Sequence, residues 1–276
     1  MVMSVNTNVG AQVALQNLNA TNAQLSVTQN RISTGKSVAT AKDNGAIWAI
    51  AQGQRAEIGA LSAVKQSLDR GVAAVDVALA AGETVSDLLL QMKEKALAAT
   101  DASLTTTARA ALNEDFVALR DQIASVTANA EFNGVNLLKT GATGFQALAN
   151  AQGTSTLTVG AEIMALGSAN VTITAAQAIA TQSDAATALT DVTDSIDLVS
   201  GALARLGTKS KALSTHITFV GKLTDALEAG VGNLVDADLA KESARLQALQ
   251  TKQQLGVQAL GIANQTPQLI MSLFRS

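Results

Sequence analysis

The sequence predicts a mainly α protein: a long antiparallel coiled-coil helical rod with a small β-hairpin element and chain termini paired as helices. Three observations carry that expectation. Apolar residues near both ends recur at alternating steps of three and four, the rhythm of a helix seam. Aromatic residues make up only 2% of the 276-residue chain against 47% hydrophobic residues, so its core is built from Ala, Leu, Val and Ile, which let helices pack closely. The single proline, Pro267, leaves the rest of the chain free of the strongest helix breaker.

In chain order, the first seam reads Leu15, Leu18, Asn22, Leu25, Gln29, Ile32. The next, Ile58, Leu61, Lys65, Leu68, Val72, Val75, Leu79, Gly82, Ser86 and Leu89, predicts one helix from about Asn44 to Ala98. A turn at Thr100–Ser103 precedes a shorter amphipathic helix marked by Leu112, Phe116, Leu119, Ile123 and Val126, which stops at Glu131-Phe132-Asn133-Gly134. From Thr140 to Thr190 the chain is rich in Thr, Ser, Gly and Ala and nearly uncharged. Thr156–Val159 and Asn170–Thr174 alternate polar and apolar, which predicts the two strands of a hairpin, with side chains facing outwards and little packing dependent on them. The cleanest seam follows: Ile196, Val199, Leu203, Leu206, Ser210, Leu213, Ile217, Val220, Thr224, Leu227, Val231, Leu234. Gly230 and Gly232 loosen its end, and Asp236 or Asp238 can cap the next helix. The last seam is Leu246, Leu249, Gln253, Gly256, Leu260, Ala263. An exposed leucine forfeits about 1.5–3 kcal/mol of burial. Leu15, Leu18, Leu25, Ile32, Leu246, Leu249 and Leu260 therefore need partners, either each other or the same seams on other copies.

Several chemistries are excluded. With no cysteine there is no disulfide, thiolate nucleophile or Cys-based metal site. His216 is the only histidine, so neither a His-based triad nor a site with two histidines can form; it sits at the edge of a packed stripe. Gly35-Lys36-Ser37 resembles the end of a phosphate loop, but the required earlier glycine is Asn30. Asp236 and Asp238 read as capping residues rather than a catalytic pair. The triplets at Asn19, Asn170 and Asn264 match the N-glycosylation pattern without a eukaryotic secretory signal. The net charge of -3 argues against a nucleic-acid partner. No apolar run is long enough to insert into a membrane. Met1-Val2-Met3-Ser4 lacks the marks of a signal peptide, so export is expected by another route. No catalytic, cofactor-binding or metal-binding residues are expected, and the chain is not read as an enzyme.

Short motifs at both ends resemble bacterial flagellin. Val5-Asn6-Thr7-Asn8, Leu15-Gln16-Asn17-Leu18 and Arg31-Ile32-Ser33-Thr34-Gly35 are similar to its entry helix and turn, and Ala41-Lys42-Asp43-Asn44 with Gly45-Ala46 to the lead into its long helix. Phe132-Asn133-Gly134-Val135-Asn136-Leu137-Leu138 is similar to the stretch before its β-region. Asp236–Glu242, Ala263-Asn264-Gln265, Pro267-Gln268 and Ser272-Leu273-Phe274-Arg275 resemble its closing helix and terminus. The resemblance implies a short type without large outer domains, a structural subunit that polymerises through its terminal helices into the extracellular flagellar filament for motility. Residues 1–45 with 235–276 would form the inner core, 46–140 with 181–234 the rod, and 141–180 its turnaround. Its implied partners are other flagellin subunits, sister flagellins among them, a flagellar export chaperone on the type III route, and hook-associated and cap proteins. Thr143, Thr154, Ser155, Ser168 and Thr172 become candidates for O-linked sugars by the same resemblance. A hook–filament junction protein shares the terminal helices and is the alternative reading. A coiled-coil signalling module is a more distant one.

Overall fold

The computed structural model describes residues 7–273, with side chains described up to 265; Val5, Asn6, Phe274 and Arg275 of the terminal motifs lie outside the described residues. Five helices are described: α1 (Val9–Thr34), α2 (Gly45–Ala99), α3 (Thr106–Asn129), α4 (Gln182–Val235) and α5 (Leu239–Leu273). Each begins on a side chain that accepts a free backbone N–H of the first turn. Asn8 takes that of Ala11, Asn44 that of Ile47, Thr105 that of Ala108, Thr181 that of Asp184 and Asp238 that of Lys241, at 3.0–3.2 Å. Of the two aspartates expected to cap α5, Asp238 does so. α1 ends on Gly35, left-handed at φ 69°.

The chain forms two compact units, one of residues up to Ala56 and from Ala226 on, the other of Glu57–Asp225. In the second unit α2 and α4 run antiparallel: Ser210 Oγ bonds Asp76 Oδ1 at 3.3 Å, and Gln182 Nε2 bonds the Thr100 carbonyl at 3.0 Å. α3 folds back on α2, where Lys95 meets Asp115 at 2.7 Å, and buries Phe116 and Ile123 completely.

The α2 seam differs in phase from the expected one. Leu61, Leu68, Val75, Gly82 and Leu89 are buried as expected, but Val64, Gly71, Ala78 and Val85 fill the alternate positions in place of Lys65, Val72, Leu79 and Ser86. Two glycines give the reason. A Cβ on Gly71 would stand 2.8 Å from the Phe145 ring, and one on Gly82 2.7 Å from Leu203 Cδ2. Large side chains from other elements occupy those places, so the seam needs small residues where a search for leucines looks elsewhere. The N-terminal part of α4 shifts likewise, with Ser195 and Ala202 fully buried and Ile196 and Leu203 only half-buried, whereas from Leu206 on the expected positions Leu213, Val220 and Val231 are buried.

Two small hairpins lie between α3 and α4. β1 (Glu131–Phe132) pairs with β2 (Val135–Asn136) around Asn133-Gly134, both with positive φ, 49° and 83°. β3 (Phe145–Leu148) pairs with β4 (Thr156–Val159) in the register Phe145↔Val159. The expected strand Asn170–Thr174 is thus corrected: it is irregular, and Phe145–Leu148 takes its place. Thr172 donates its N–H to Ser195 Oγ and its hydroxyl to the Asp191 carbonyl, so its polar groups are directed to α4 rather than to a ladder. Beside Val159, a Cβ on Gly144 (φ 77°) would lie 2.2 Å from the Val159 carbonyl oxygen, so only glycine fits. The expectation that this turnaround carries little packing is corrected too. Met164, Val171, Ile173 and Ile179 are wholly buried, because the Glu162 and Met164 N–H groups bond Leu137 and Leu138 carbonyls at 2.9 Å and draw the loop across the helices.

Candidate assembly interface

In the first unit α1 and α5 lie antiparallel. Asn8 Nδ2 bonds the Ala263 carbonyl at 2.7 Å, Gln253 Nε2 bonds Asn22 Oδ1 at 2.8 Å, and Arg31 meets Glu242 at 3.1 Å. The inward face of α5 follows the expected phase: Leu246, Leu249, Gln253, Gly256, Leu260 and Ala263 are its least exposed positions, together with Glu242. On α1 the inward face is Ala14, Leu18, Thr21, Leu25, Thr28 and Ile32. Leu18, Leu25 and Ile32 are shared with the sequence reading; Ala14, Thr21 and Thr28 stand one place from Leu15, Asn22 and Gln29. Both phases share Leu18, Leu25 and Ile32, so spacing alone admits either. Packing decides: a Cβ on Gly256 would come within 3.3 Å of Leu18 Cδ1, so the helices approach closely there. Thr21 lies at this face with its hydroxyl bonded to the Asn17 carbonyl at 2.8 Å.

The described seam residues are therefore placed in two groups. Leu18, Leu25, Ile32, Leu246, Leu249 and Leu260 pack within the pair, whereas Leu15 remains 48% exposed. With it, Val9, Val13 and Val27 on α1 and Leu239, Leu255 and Val257 on α5 are exposed by 46% to 64%. Apart from Leu15, sequence reasoning missed this outer set because it sought one stripe per helix. The signal was there in apolar residues off the three-four phase, which on a helix must point elsewhere. Apolar residues left exposed on both helices are surface that a further partner would bury.

The connectors at the inner end of this pair hold each other. The Val235 carbonyl, at the end of α4, accepts the Ser37 N–H at 2.7 Å, the Val38 N–H at 3.3 Å and the Ser37 hydroxyl at 3.2 Å. In return the Ala237 N–H donates to the Gly35 carbonyl at 2.9 Å. Gly35-Lys36-Ser37 is thus half of a clasp that satisfies the end of a helix, with Lys36 and Asp236 forming an antiparallel backbone bridge across it. Asp43 closes the loop beyond it. Its carboxylate accepts the Ala39 and Thr40 N–H groups and the Thr40 hydroxyl at 2.9–3.1 Å, and these bonds, Thr40 N–H foremost, hold its pKa below the usual carboxylate value.

Elsewhere His216 Nε2 lies 2.8 Å from the Ala149 carbonyl, its ring 5.7 Å from that of Phe219, a structural setting. No group of three potential metal-ligating side chains, and no helix long and apolar enough to cross a membrane, occurs among the described residues. Thr143, Thr154 and Ser155 are exposed. Ser168 and Thr172 are half-buried, their hydroxyls donated to the Ile163 and Asp191 carbonyls at 2.9 Å.

Comparison with known proteins adds a second line. Residues 5–143 match the bacterial flagellin N-terminal helical region, and residues 189–274 the bacterial flagellin C-terminal helical region. The sequence is 56% identical to flagellin FljM and 55% identical to flagellin FljK of Caulobacter vibrioides, each alignment covering 99% of this chain and 98% of the relative. It is 37% identical to a flagellin of Brucella melitensis, with 99% of each chain covered. Among solved structures, a Bacillus cereus flagellin aligns with a TM-score of 0.49 at 21% identity, over 56% of this chain and 88% of that one.

Proposed function

The chain belongs to the bacterial flagellin family, whose members are structural filament subunits and not enzymes, and from that premise we propose how it assembles. The α1–α5 pair is the polymerising element, and its outer faces, not its inner seam, meet neighbouring copies. The observation that supports this reading is the apolar set Val9, Val13, Leu15, Val27, Leu239, Leu255 and Val257, left exposed by a helix pair whose inner seam is already filled. Residues 1–45 with 235–276 act as the inner core of the flagellar filament, outside the cell. Residues 46–140 with 181–234 form the surrounding rod, and 141–180 its turnaround. Sister flagellins are partners of the same kind, as the likeness to FljM and FljK supports. Before assembly the exposed terminal helices require a cover, the role of an export chaperone. At the filament ends the same faces meet hook-associated and cap proteins. Exposed Thr143, Thr154 and Ser155 are the hydroxyls open to O-linked sugars.

The experiment is a double substitution, Leu15→Asp with Leu255→Asp. Two charges on the outer faces forfeit the remaining burial of two leucines already about half covered, on the order of 1.5–3 kcal/mol per subunit in the polymer, while the inner seam of the isolated chain stays intact. Sedimentation should show no filaments, with unchanged circular dichroism of the monomer. Filaments formed at the wild-type critical concentration would refute the outer-face reading.

A further inference from the structure

We propose that Asn133 is a self-modifying residue, its carboxamide lost by spontaneous deamidation at the tip of the β1–β2 hairpin. The chain contains two Asn-Gly pairs, Asn44-Gly45 and Asn133-Gly134. Glycine lacks the Cβ that would otherwise hinder a backbone nitrogen from reaching the preceding side chain, so both pairs are chemically competent. The fold treats them differently. Asn44 caps α2, its Oδ1 bound by the Ile47 N–H at 3.1 Å, and Gly45 is the first helical residue. Asn133 and Gly134 are exposed, and neither the Asn133 carboxamide nor the Gly134 N–H has a hydrogen-bond partner among the described residues. The ladder beneath them is only two residue pairs long, Glu131↔Asn136 and Phe132↔Val135, and the bond that ties it to α3, Asn136 Nδ2 to the Thr127 carbonyl at 2.9 Å, lies at its far end from the turn. A ladder that short opens readily, which gives the turn the conformational freedom that ring closure demands.

The step is an intramolecular substitution. The Gly134 backbone nitrogen gives up its proton and attacks Asn133 Cγ. An N–Cγ bond forms, the carboxamide C–N bond breaks, and the amide nitrogen leaves with that proton as ammonia. Water then opens the five-membered imide at either carbonyl, giving aspartate or an isoaspartate whose backbone runs through the former side chain. Either product places a carboxylate at the cleft lined by Arg70, Phe132 and Phe145. The isoaspartate also adds a backbone methylene to a two-residue turn, which disturbs the register Phe132↔Val135.

The test is peptide mapping by mass spectrometry of the purified full chain aged at mildly alkaline pH, natively and in urea. In the native chain the Asn133 peptide should gain one dalton, split between aspartate and isoaspartate, roughly tenfold or more faster than the Asn44 peptide. In urea the two should convert at similar rates, and Asn133→Gln should abolish the gain at that peptide. Equal native rates at Asn44 and Asn133, or a native Asn133 that stays intact while the urea sample converts, would overturn the proposal.

Discussion

The α1–α5 pair and the bundle of residues 57–225 are built from the same alphabet of Ala, Leu, Val and Thr, yet only the bundle has a closed core. Every one of the largest fully buried side chains, Phe116, Met92, Met164 and Leu213 among them, falls in the bundle. Within the α1–α5 pair the described residues that are buried are Thr21, Thr28, Glu242 and Leu249. The difference is one of layers. α2 is covered by α4, by α3 and by the turnaround loop, whereas two helices alone can cover each other on one face only. A sequence of modest hydrophobicity therefore becomes self-sufficient in one region and dependent on neighbours in the other.

Three experiments press on that contrast. The largest effect is expected from removing residues 236–276. Polymerisation should be abolished while most helicity of the bundle survives, read by sedimentation and circular dichroism. A collapsed helical signal would mean that the bundle is not self-sufficient. Next in size, Phe116→Ala should lower stability by about 3–5 kcal/mol through the cavity it leaves, and Leu249→Ala by less than about 2 kcal/mol because its site can relax. Urea unfolding of the monomer measures both, and equal losses would erase the distinction between the regions. The smallest effect concerns acid. Asp43 has its pKa held below the ordinary 3.8, so the stability it lends is present above that value and is lost as pH falls through the lowered one. Hydrogen exchange at the Ala39 and Thr40 amides should lose protection on acidification below pH 3.8, and Asp43→Asn should flatten that dependence.

The helical architecture was legible because leucine spacing survives any error of one residue. Phase was legible in α5, in α3, where Leu112, Phe116, Leu119, Ile123 and Val126 all face inwards, and in α4 from Leu206 to Leu234. In α1 and α2 the true seam includes Thr21, Thr28, Gly71 and Gly82, residues that spacing rules overlook because they are chosen by what packs against them. The β3 strand was illegible for a similar reason. Phe145-Gln146-Ala147-Leu148 has little β-propensity and is a strand because Gly144 turns it onto β4 and the Phe145 ring fills the hollow at Gly71. Asn170–Thr174 had the alternation but spends its hydrogen bonds on α4. As for the candidate interface, the inner leucines were legible and the outer faces were not, since exposure is a property of the pair rather than of either helix.

The clasp between the two connectors carries a lesson for anyone grafting peptides or labels into this chain. Residues 35–37 and 235–237 are about two hundred positions apart in sequence, yet each supplies the hydrogen-bond partners that the other lacks. Lengthening either by a residue removes the partner of the opposite one, so an insertion tolerated at neither site alone requires a matched change at both. The loop from Ala39 to Asp43 is different, because its bonds run to its own Asp43 rather than to residues 235–237.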